Sequence, residues 1–394
     1  MYKRSITLPT GENSFFLFGP RQTGKSTLIS GLLSDRPHLV LNFLERDTFL
    51  RYKTRPEHLR KEIQAMDSLP DNLTVFIDEV QKVPEILDEV HLLIETYKEK
   101  LAFVMTGSSA RKIRRSGVNL LAGRAWQYHL YPLTHQELGK DFVLNRALCR
   151  GSLPPVIKSS DSDAAKTLEA YTQTYLKEEV LDEALTRNVS AFSRFLEIAA
   201  DQNGMTVNYS NIARETQVSV KTIQAYYQIL EDTLIVYRLP PYIRSTRRRL
   251  VQHPKYYFFD TGVVQSLLGR AAQPVKEGTS EFGRLFEHFI IIETMRLAAY
   301  SGKNWRFYHW RSASGSEVDL VIETGEGVWA VEVKTGGRIE AVDLQGLRAF
   351  QTDHPGARAV CAGLNDRPYR AGDFNVIPWK DLFSARNLDL QPGT

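Results

Sequence analysis

The feature that most constrains this chain is the run Gly19-Pro-Arg-Gln-Thr-Gly24-Lys25-Ser26, which fits G-x-x-x-x-G-K-[ST] at every fixed position. An apolar stretch, Phe15-Phe16-Leu17-Phe18, precedes it, and an amphipathic segment, Ser26–Leu33, follows. A glycine-bracketed turn between strand and helix lets backbone N–H groups point inward, and the helix N-terminus adds partial positive charge. The run therefore asks for a strand, a phosphate-sized loop and a helix in direct succession. Gly19, Pro20, Arg21, Gln22, Thr23, Gly24, Lys25, Ser26 and Thr27 form the candidate cradle.

The surrounding pattern agrees with that demand. Leu39–Phe43, Leu73–Ile77 and Leu101–Met105 are further short apolar runs, and helical periodicity lies between them, as in Ile86–Tyr97. Continuous apolar strands separated by helices imply a parallel sheet covered on both faces. The run Val75-Phe-Ile-Asp78-Glu79-Val80 delivers two acids to the C-terminal end of its strand, where α/β sheets bind ligands. In this reading Lys25 bridges the β- and γ-phosphates of ATP, and Ser26 and Asp78 hold Mg²⁺. Glu79 orients and deprotonates the attacking water. Met105-Thr106-Gly107-Ser108-Ser109 closes the next strand. It is either a plain turn or the source of a hydroxyl, Ser108 with Thr106 behind it, for the γ-phosphate or the water. Arg124, after Gly123, is a candidate finger or sensor arginine, with a surface arginine as the alternative. Arg111, Lys112, Arg114 and Arg115 read as a solvated basic face, with a contact to DNA as the alternative.

Four runs, at 19–26, 78–81, 106–109 and 121–124, resemble the AAA+ superfamily. More narrowly they resemble a bacterial and archaeal ATPase group that carries a winged-helix segment and a further C-terminal domain. Lys255-Tyr-Tyr-Phe-Phe-Asp260-Thr-Gly262 corresponds to a hallmark stretch of that group. The resemblance implies an ATPase that assembles as a homo-oligomer, with a hexameric ring as the superfamily form. Arg124 or a nearby arginine would then act on the neighbouring subunit's ATP.

At 394 residues, and roughly 100–200 residues per domain, two or three domains are expected. We divide the chain into an ATPase domain over 1–150, a helical and winged-helix segment over 151–250, and an α/β domain over 251–394. Gly151-Ser152-Leu153-Pro154-Pro155 reads as a break or linker. Ser210–Thr216 and Ser219–Leu230 read as two helices, N-capped by Ser210 and Ser219. Ile212, Ala213, Val218, Ile223 and Leu230 would form a small core. Lys221, Thr222, Gln224 and Tyr227 would face a DNA groove, unless the module only packs between domains. Arg244, Arg247, Arg248 and Arg249 suit a phosphate backbone or form a solvated charge run.

A second acidic constellation lies in the last third. Glu317–Ile322 and Val328–Lys334, joined through Gly325 and Gly327, read as a hairpin that sets Asp319 opposite Glu332. Period-two alternation places Glu332 and Lys334 on one face. Glu287, on the helical stretch Phe282–Ala299, adds a third carboxylate. Oxygen donors of this kind suit Mg²⁺ or Mn²⁺. The set Glu287, Asp319, Glu332 and Lys334 resembles the PD-(D/E)XK nuclease superfamily, with Gln345 matching a glutamine some members use. The implied fold is restriction-endonuclease-like, either active in metal-dependent cleavage or retained for DNA binding or assembly. Glu293 and Glu317 read as solvated, and His288 and His309 as structural.

The net charge of +4 is too small to assign a nucleic-acid partner by itself. Cys149 and Cys361 stand in no metal-ligand spacing and read as buried free thiols. Apolar runs such as Phe289–Ile292 are too short to span a bilayer, and a cytoplasmic protein with no membrane partner is expected. Together these readings describe an ATP-driven machine acting on DNA. The alternatives are a nucleotide-dependent assembly switch with an inactive nuclease-like domain, or a branch-migration motor without nuclease activity.

Overall fold

The computed structural model describes residues 2–115, 121–176, 188–243 and 253–390. The chain groups into two compact units. One comprises Ile6–Tyr131 with Ile229–Ile235, the other Met1–Ser5, Pro132–Gln228 and Val236–Thr394.

The first unit is built on a parallel sheet of five strands: β1 (Phe15–Phe18), β2 (His38–Asn42), β3 (Leu73–Asp78), β4 (Leu101–Gly107) and β5 (Trp126–His129). Their order is β2-β3-β4-β1-β5, and every neighbouring pair is parallel. β1, β3 and β4 are buried throughout, as continuous apolar runs require. Phe16 and Phe18 lie on one face, their rings stacked at 5.3 Å, and share a core with Val75, Ile77, Phe103 and Met105. Burying each such side chain contributes about 1.5–3 kcal/mol. The edge strand β5 is the one the apolar-run criterion misses. Trp126-Gln-Tyr-His is only partly buried, so its composition carries no continuous apolar signal. Because β1 and β3 flank β4, the loops after all three converge at the C-terminal edge of the sheet.

The second unit contains the helices Val189–Asp201 and Tyr209–Thr216 and the helix Val220–Asp232 as far as Gln228, then the antiparallel pair β6 (Val236–Leu239) and β7 (Lys255–Phe258). Ile212, Ala213, Ile223 and Leu230 are buried as expected, while Val218 is half-buried. Ser219 accepts from Thr222 N at 3.1 Å, but Asn208 rather than Ser210 caps the preceding helix, accepting from Asn211 N at 3.1 Å. Tyr227 does not face outward. It is 1% exposed, stacks on Tyr256 at 4.2 Å and meets Phe195 edge-on at 5.0 Å. It stands four residues after Ile223, which puts both on the buried face of the helix. Lys221 and Gln224 are exposed. The arginine run Arg244, Arg247, Arg248 and Arg249 lies outside the described residues.

The segment from Gly151 is not a linker. Gly151, Ser152 and Leu153 are buried, and Ser152 N donates to Asp260 at 2.8 Å while its carbonyl accepts from Leu133 N at 2.9 Å. Asp260 also caps the helix Thr261–Leu267, accepting from Gly262 N and Val263 N at 2.9 and 3.3 Å. Burial raises its pKa, against the pull of Arg296 and these N–H groups. A Cβ at Gly151 would lie 1.7 Å from Asp260, and one at Gly262 would lie 2.1 Å from the carbonyl oxygen of Arg150. The Asp260-Thr-Gly262 part of the hallmark stretch is thus a packing knot.

The remainder is a mixed six-stranded sheet of β8 (Arg306–Arg311), β9 (Glu317–Thr324), β10 (Gly327–Val333), β11 (Arg358–Gly363), β12 (Tyr369–Ala371) and β13 (Phe374–Pro378). The order is β12-β13-β11-β10-β9-β8. β8, β9 and β10 form an antiparallel meander, and β11 pairs in parallel with both β10 and β13. The helix Ser280–Tyr300 packs on one face through Phe286, Phe289 and Ile290 against Leu320, Ile322 and Val331. The helix Gln345–Asp353 covers the other through Leu347 and Phe350, against Val321 and Ala330. Helix Ser280–Tyr300 is buried nearly all round, which overturns the solvated reading of Glu293. Glu293 is 0% exposed, accepts from His135 N and Nδ1 at 2.6 and 2.7 Å, and faces Arg296 at 3.6 Å. His288 is structural, its Nε2 bonded to Phe258 O at 2.6 Å and its pKa pushed down to about 3 by burial. Both cysteines are buried free thiols. No helix among the described residues is long and apolar enough to cross a membrane.

Replacing Gly262 by alanine drives a methyl into backbone that cannot swing away. Urea unfolding of Gly262→Ala is expected to show a loss of at least about 2 kcal/mol, the range for overpacked sites. Gly325→Ala, which meets open space, is expected to change stability by less than about 0.5 kcal/mol. Equal stabilities for the two variants would contradict the packing account.

Candidate functional site

The loop after β1 has the backbone its sequence demands. Gly24 adopts φ 93° and ψ 25° and Gln22 φ 64°, both left-handed, and the helix Lys25–Leu33 begins directly after Gly24. Gly19 is pressed against the end of β5, where a Cβ would lie 2.2 Å from Leu130 O. Thr23 Oγ1 donates to Pro20 O at 2.9 Å and closes the loop on itself. Lys25 is 6% exposed, and its Nζ donates to Gly19 O at 2.8 Å and Pro20 O at 3.1 Å. An ammonium this buried needs oxygen partners. The loop carbonyls supply them, and phosphate oxygens suit the same donor. Arg21, Gln22 and Ser26 are half-buried and Thr27 is exposed on the first helical turn.

The ends of β3 and β4 complete this edge. Asp78 is buried and accepts a short hydrogen bond from Thr106 Oγ1. Glu79 adopts φ 61°, a left-handed conformation unusual for glutamate, at the start of the turn Val80–Lys82. That turn brings Gln81 back, so that its Nε2 reaches Glu79 Oε2 at 2.5 Å and Ser108 Oγ at 3.4 Å. Thr106, not Ser108, is the hydroxyl on Asp78, while Ser108 joins Glu79 through Gln81. Gln81 is the residue that motif reading passed over, although it stands inside the 78–81 run. A Cβ on Gly107 would lie 2.4 Å from Gln81 Oε1, so the Gln81 amide would have to move aside.

Arg124 is not at this edge. It lies two residues before β5, whose first residue pairs with Phe15 at the start of β1. It forms an ion pair with Glu95 at the opposite end of the parallel sheet, and cannot meet a nucleotide on its own chain's loop. Arg111 is likewise bound, to Asp232, rather than solvated.

The second constellation does assemble. Leu320 pairs with Val331, which sets Asp319 opposite Glu332. Asp319 Oδ2 accepts from Val333 N at 2.9 Å, and Lys334 Nζ donates to Glu332 Oε1 at 2.6 Å. Glu332 is 5% exposed, and its Oε2 is buried without a hydrogen-bond partner. Burial and the nearby Asp319 push its pKa up to about 8, against the pull of Lys334. Burial and Asp319 also raise the pKa of Glu287. Glu287 Oε1 accepts from Tyr257 OH at 2.7 Å and faces Lys255 Nζ at 3.6 Å. Lys255 and Tyr257 come from the hallmark stretch and were not singled out as site residues by sequence. They alternate on β7, so both reach one face. Glu287, Asp319, Glu317, Lys255, Arg284 and Arg311 line a cavity of about 320 Å³. Glu317 is not simply solvated; it pairs with Arg311 at 3.1 Å. Gln345 is exposed at the start of its helix. Among the described residues no three His, Cys, Asp or Glu side chains stand in ready-made metal-holding geometry. The donor set is nevertheless all oxygen, and it includes an unpartnered carboxylate oxygen, which fits a hard divalent cation.

The five-stranded parallel sheet with its glycine loop and acid-tipped β3 defines a P-loop NTPase-type domain. Residues 11–139 match the family model described as AAA domain, so the N-terminal region is a P-loop AAA-type ATPase domain. Residues 142–274 and 282–382 match two models described as domains of unknown function, DUF8612 and DUF4143. The chain is 26% identical to the uncharacterized protein Rv2008c of Mycobacterium tuberculosis over 319 residues, 81% of this chain and 69% of the relative. It is 23% identical to an uncharacterized protein of Haemophilus influenzae over 303 residues, 71% of this chain and 73% of that protein.

Gly107→Ala displaces Gln81 from Glu79 without touching the phosphate loop. Steady-state ATP hydrolysis is expected to fall by about 10-fold, less than the ~100-fold or more that loss of the general base itself costs. Fluorescent-nucleotide affinity should stay within about 3-fold. Unchanged turnover would show that the Gln81 contact is incidental.

Proposed function

We propose that the chain is an ATP-driven machine acting on DNA, in which nucleotide turnover by the N-terminal domain alters how the remainder engages and cleaves a DNA strand. The observation that carries the reading is the meeting of Glu287, Asp319 and Glu332 beside Lys334, with one buried carboxylate oxygen unpartnered. The three-part division at 150 and 250 belongs to this reading, with a winged helix in the middle and a restriction-endonuclease-like fold at the end.

In the ATPase domain Lys25 releases the Gly19 and Pro20 carbonyls and turns its charge onto the β- and γ-phosphate oxygens. Ser26 and Asp78 would hold Mg²⁺. Glu79 accepts the proton of the attacking water, and Gln81 and Ser108 fix its carboxylate. In the acidic pocket Glu287, Asp319 and Glu332 would hold Mg²⁺ or Mn²⁺. When bound, the divalent cation supplies charge neutralisation at both sites and, in the acidic pocket, an acidified water. Lys334, displaced from Glu332, orients that water. Lys221 and Gln224 face a DNA groove, and the arginines at 244–249 engage the phosphate backbone. Arg124 has a role only on a neighbouring subunit's nucleotide, in a homo-oligomer of hexameric kind. The whole operates in the cytoplasm.

One observation favours the rival reading of an assembly switch with an inactive nuclease-like domain. Lys334 sits directly on Glu332, and the carboxylates are not gathered into a closed metal site.

Lys25→Ala is expected to abolish ATP binding. Glu79→Gln should bind ATP and hydrolyse it at least ~100-fold more slowly. Glu332→Ala and Lys334→Ala should abolish Mn²⁺-dependent cutting of linear, forked or four-way DNA while leaving ATP hydrolysis intact. A wild-type protein that cuts none of these substrates would decide for the assembly switch.

A further inference from the structure

The helix Val220–Asp232 is shared between the two units. Its residues up to Gln228 group with one, and Ile229–Ile235 group with the parallel sheet. Its first half carries Lys221 and Gln224, both exposed. Its last turn is fixed from several sides. Leu234 takes φ 61°, a left-handed conformation that glycine most often fills after a helix, and packs against the core to which Phe103 and Met105 belong. Ile235 N donates back to Leu230 O at 2.8 Å, and Thr233 Oγ1 donates to Ile229 O at 2.7 Å. A left-handed leucine persists only where its surroundings hold it. Asp232, two residues earlier, pairs with Arg111.

Arg111 ends a short line of contacts that begins at the Glu79 carboxylate. Gln81 Nε2 reaches Glu79 Oε2 at 2.5 Å and Ser108 Oγ at 3.4 Å. Ser109 and Ala110 alone lie between Ser108 and Arg111. Both serines are buried, and Arg111 N donates to Ser109 Oγ at 3.3 Å. A turn so short and so closely held moves as a piece, so Ser108 cannot shift without carrying Arg111. The side chains of Arg111 and Asp232 are 20% and 26% exposed, which leaves their attraction less screened than that of a surface pair. Every member of this line, from Glu79 to Asp232, belongs to the unit of the parallel sheet.

We propose that the Arg111–Asp232 ion pair couples the nucleotide state of the phosphate loop to the helix Val220–Asp232. A γ-phosphate and its attacking water load the Glu79 carboxylate, and Gln81 and Ser108, which hold it, adjust with it. The turn to Arg111 follows, and Asp232 moves with the guanidinium. A helix of thirteen residues is a stiff rod about 20 Å long, so a displacement at Asp232 reaches Lys221, about 16 Å along it. This deepens the preceding reading by naming its regulation. It rests on the nucleotide half of that reading and needs neither DNA nor its cleavage.

The test is hydrogen exchange followed by mass spectrometry on the full chain, alone and with Mg²⁺ and adenylyl imidodiphosphate. In the wild type the nucleotide is expected to slow exchange over residues 19–33. It should also change exchange rates over 223–228 at least about 5-fold, the lower end of ordinary coupling between sites. Asp232→Ala should keep the slowing over 19–33, with nucleotide affinity within about 3-fold, because the two sites share no direct contact. The same variant should cut the change over 223–228 to below about 2-fold. Asp232→Glu, which keeps the charge, should retain the response. Arg111→Asp combined with Asp232→Arg rebuilds the pair in reverse and should recover most of it. This double variant also serves if Asp232→Ala alone does not fold. A full response in Asp232→Ala, or no recovery in the reversed pair, would overturn the proposal. So would a wild type protected over 19–33 but unchanged over 223–228. A wild type with no protection over 19–33 would instead remove the nucleotide reading, and this proposal with it.

Discussion

An ammonium group buried in a loop of backbone is the constraint on which the N-terminal unit turns. Lys25 is held by two carbonyls, at 2.8 and 3.1 Å, inside a turn that only Gly24 and the left-handed Gln22 allow. A buried cation is tolerable only when oxygen surrounds it. The loop must therefore close tightly, and closing tightly requires Gly19 against Leu130 and a rigid strand beneath it. The parallel order of β2, β3, β4, β1 and β5 provides that strand and brings Asp78 and Thr106 to the same edge. The carbonyls that hold Lys25 are interchangeable, in chemical terms, with the phosphate oxygens an NTPase must bind.

The other unit answers a similar demand with the opposite sign. Three carboxylates are brought together by a hairpin register and a nearly all-buried helix. Their burial raises the pKa values of Glu332 and Glu287, and Lys334, Lys255 and Tyr257 offset part of the cost. The hallmark stretch from Lys255 to Gly262 does two jobs along its length. Lys255 and Tyr257 face the carboxylates, and its last three residues pin Ser152 and Arg150 through Asp260 and Gly262. A Gly-Pro break in sequence thus proves to be a packed contact.

Much of this was legible in sequence where chemistry is local. The phosphate loop, the acid-tipped strand and the Asp319–Glu332 pairing follow from spacing and from the two-residue period of a strand. What was not legible depends on partners far along the chain. β5 pairs at an edge and carries no apolar run. Tyr227 looked like a groove-facing polar aromatic until its four-residue offset from Ile223 set it in the core. Glu293 became buried because His135 and Arg296 are there to receive it. Arg124 follows a glycine as a finger would, but strand direction places it at the wrong end of the sheet for its own nucleotide.

The central claim, that the loop at 19–26 holds a nucleoside triphosphate, is tested most directly by calorimetric titration of Mg²⁺ and a non-hydrolysable ATP analogue into the wild-type chain. The account predicts saturable binding of one nucleotide per chain, competed by ATP. No detectable heat at saturating nucleotide, with the protein shown to be folded, would contradict it.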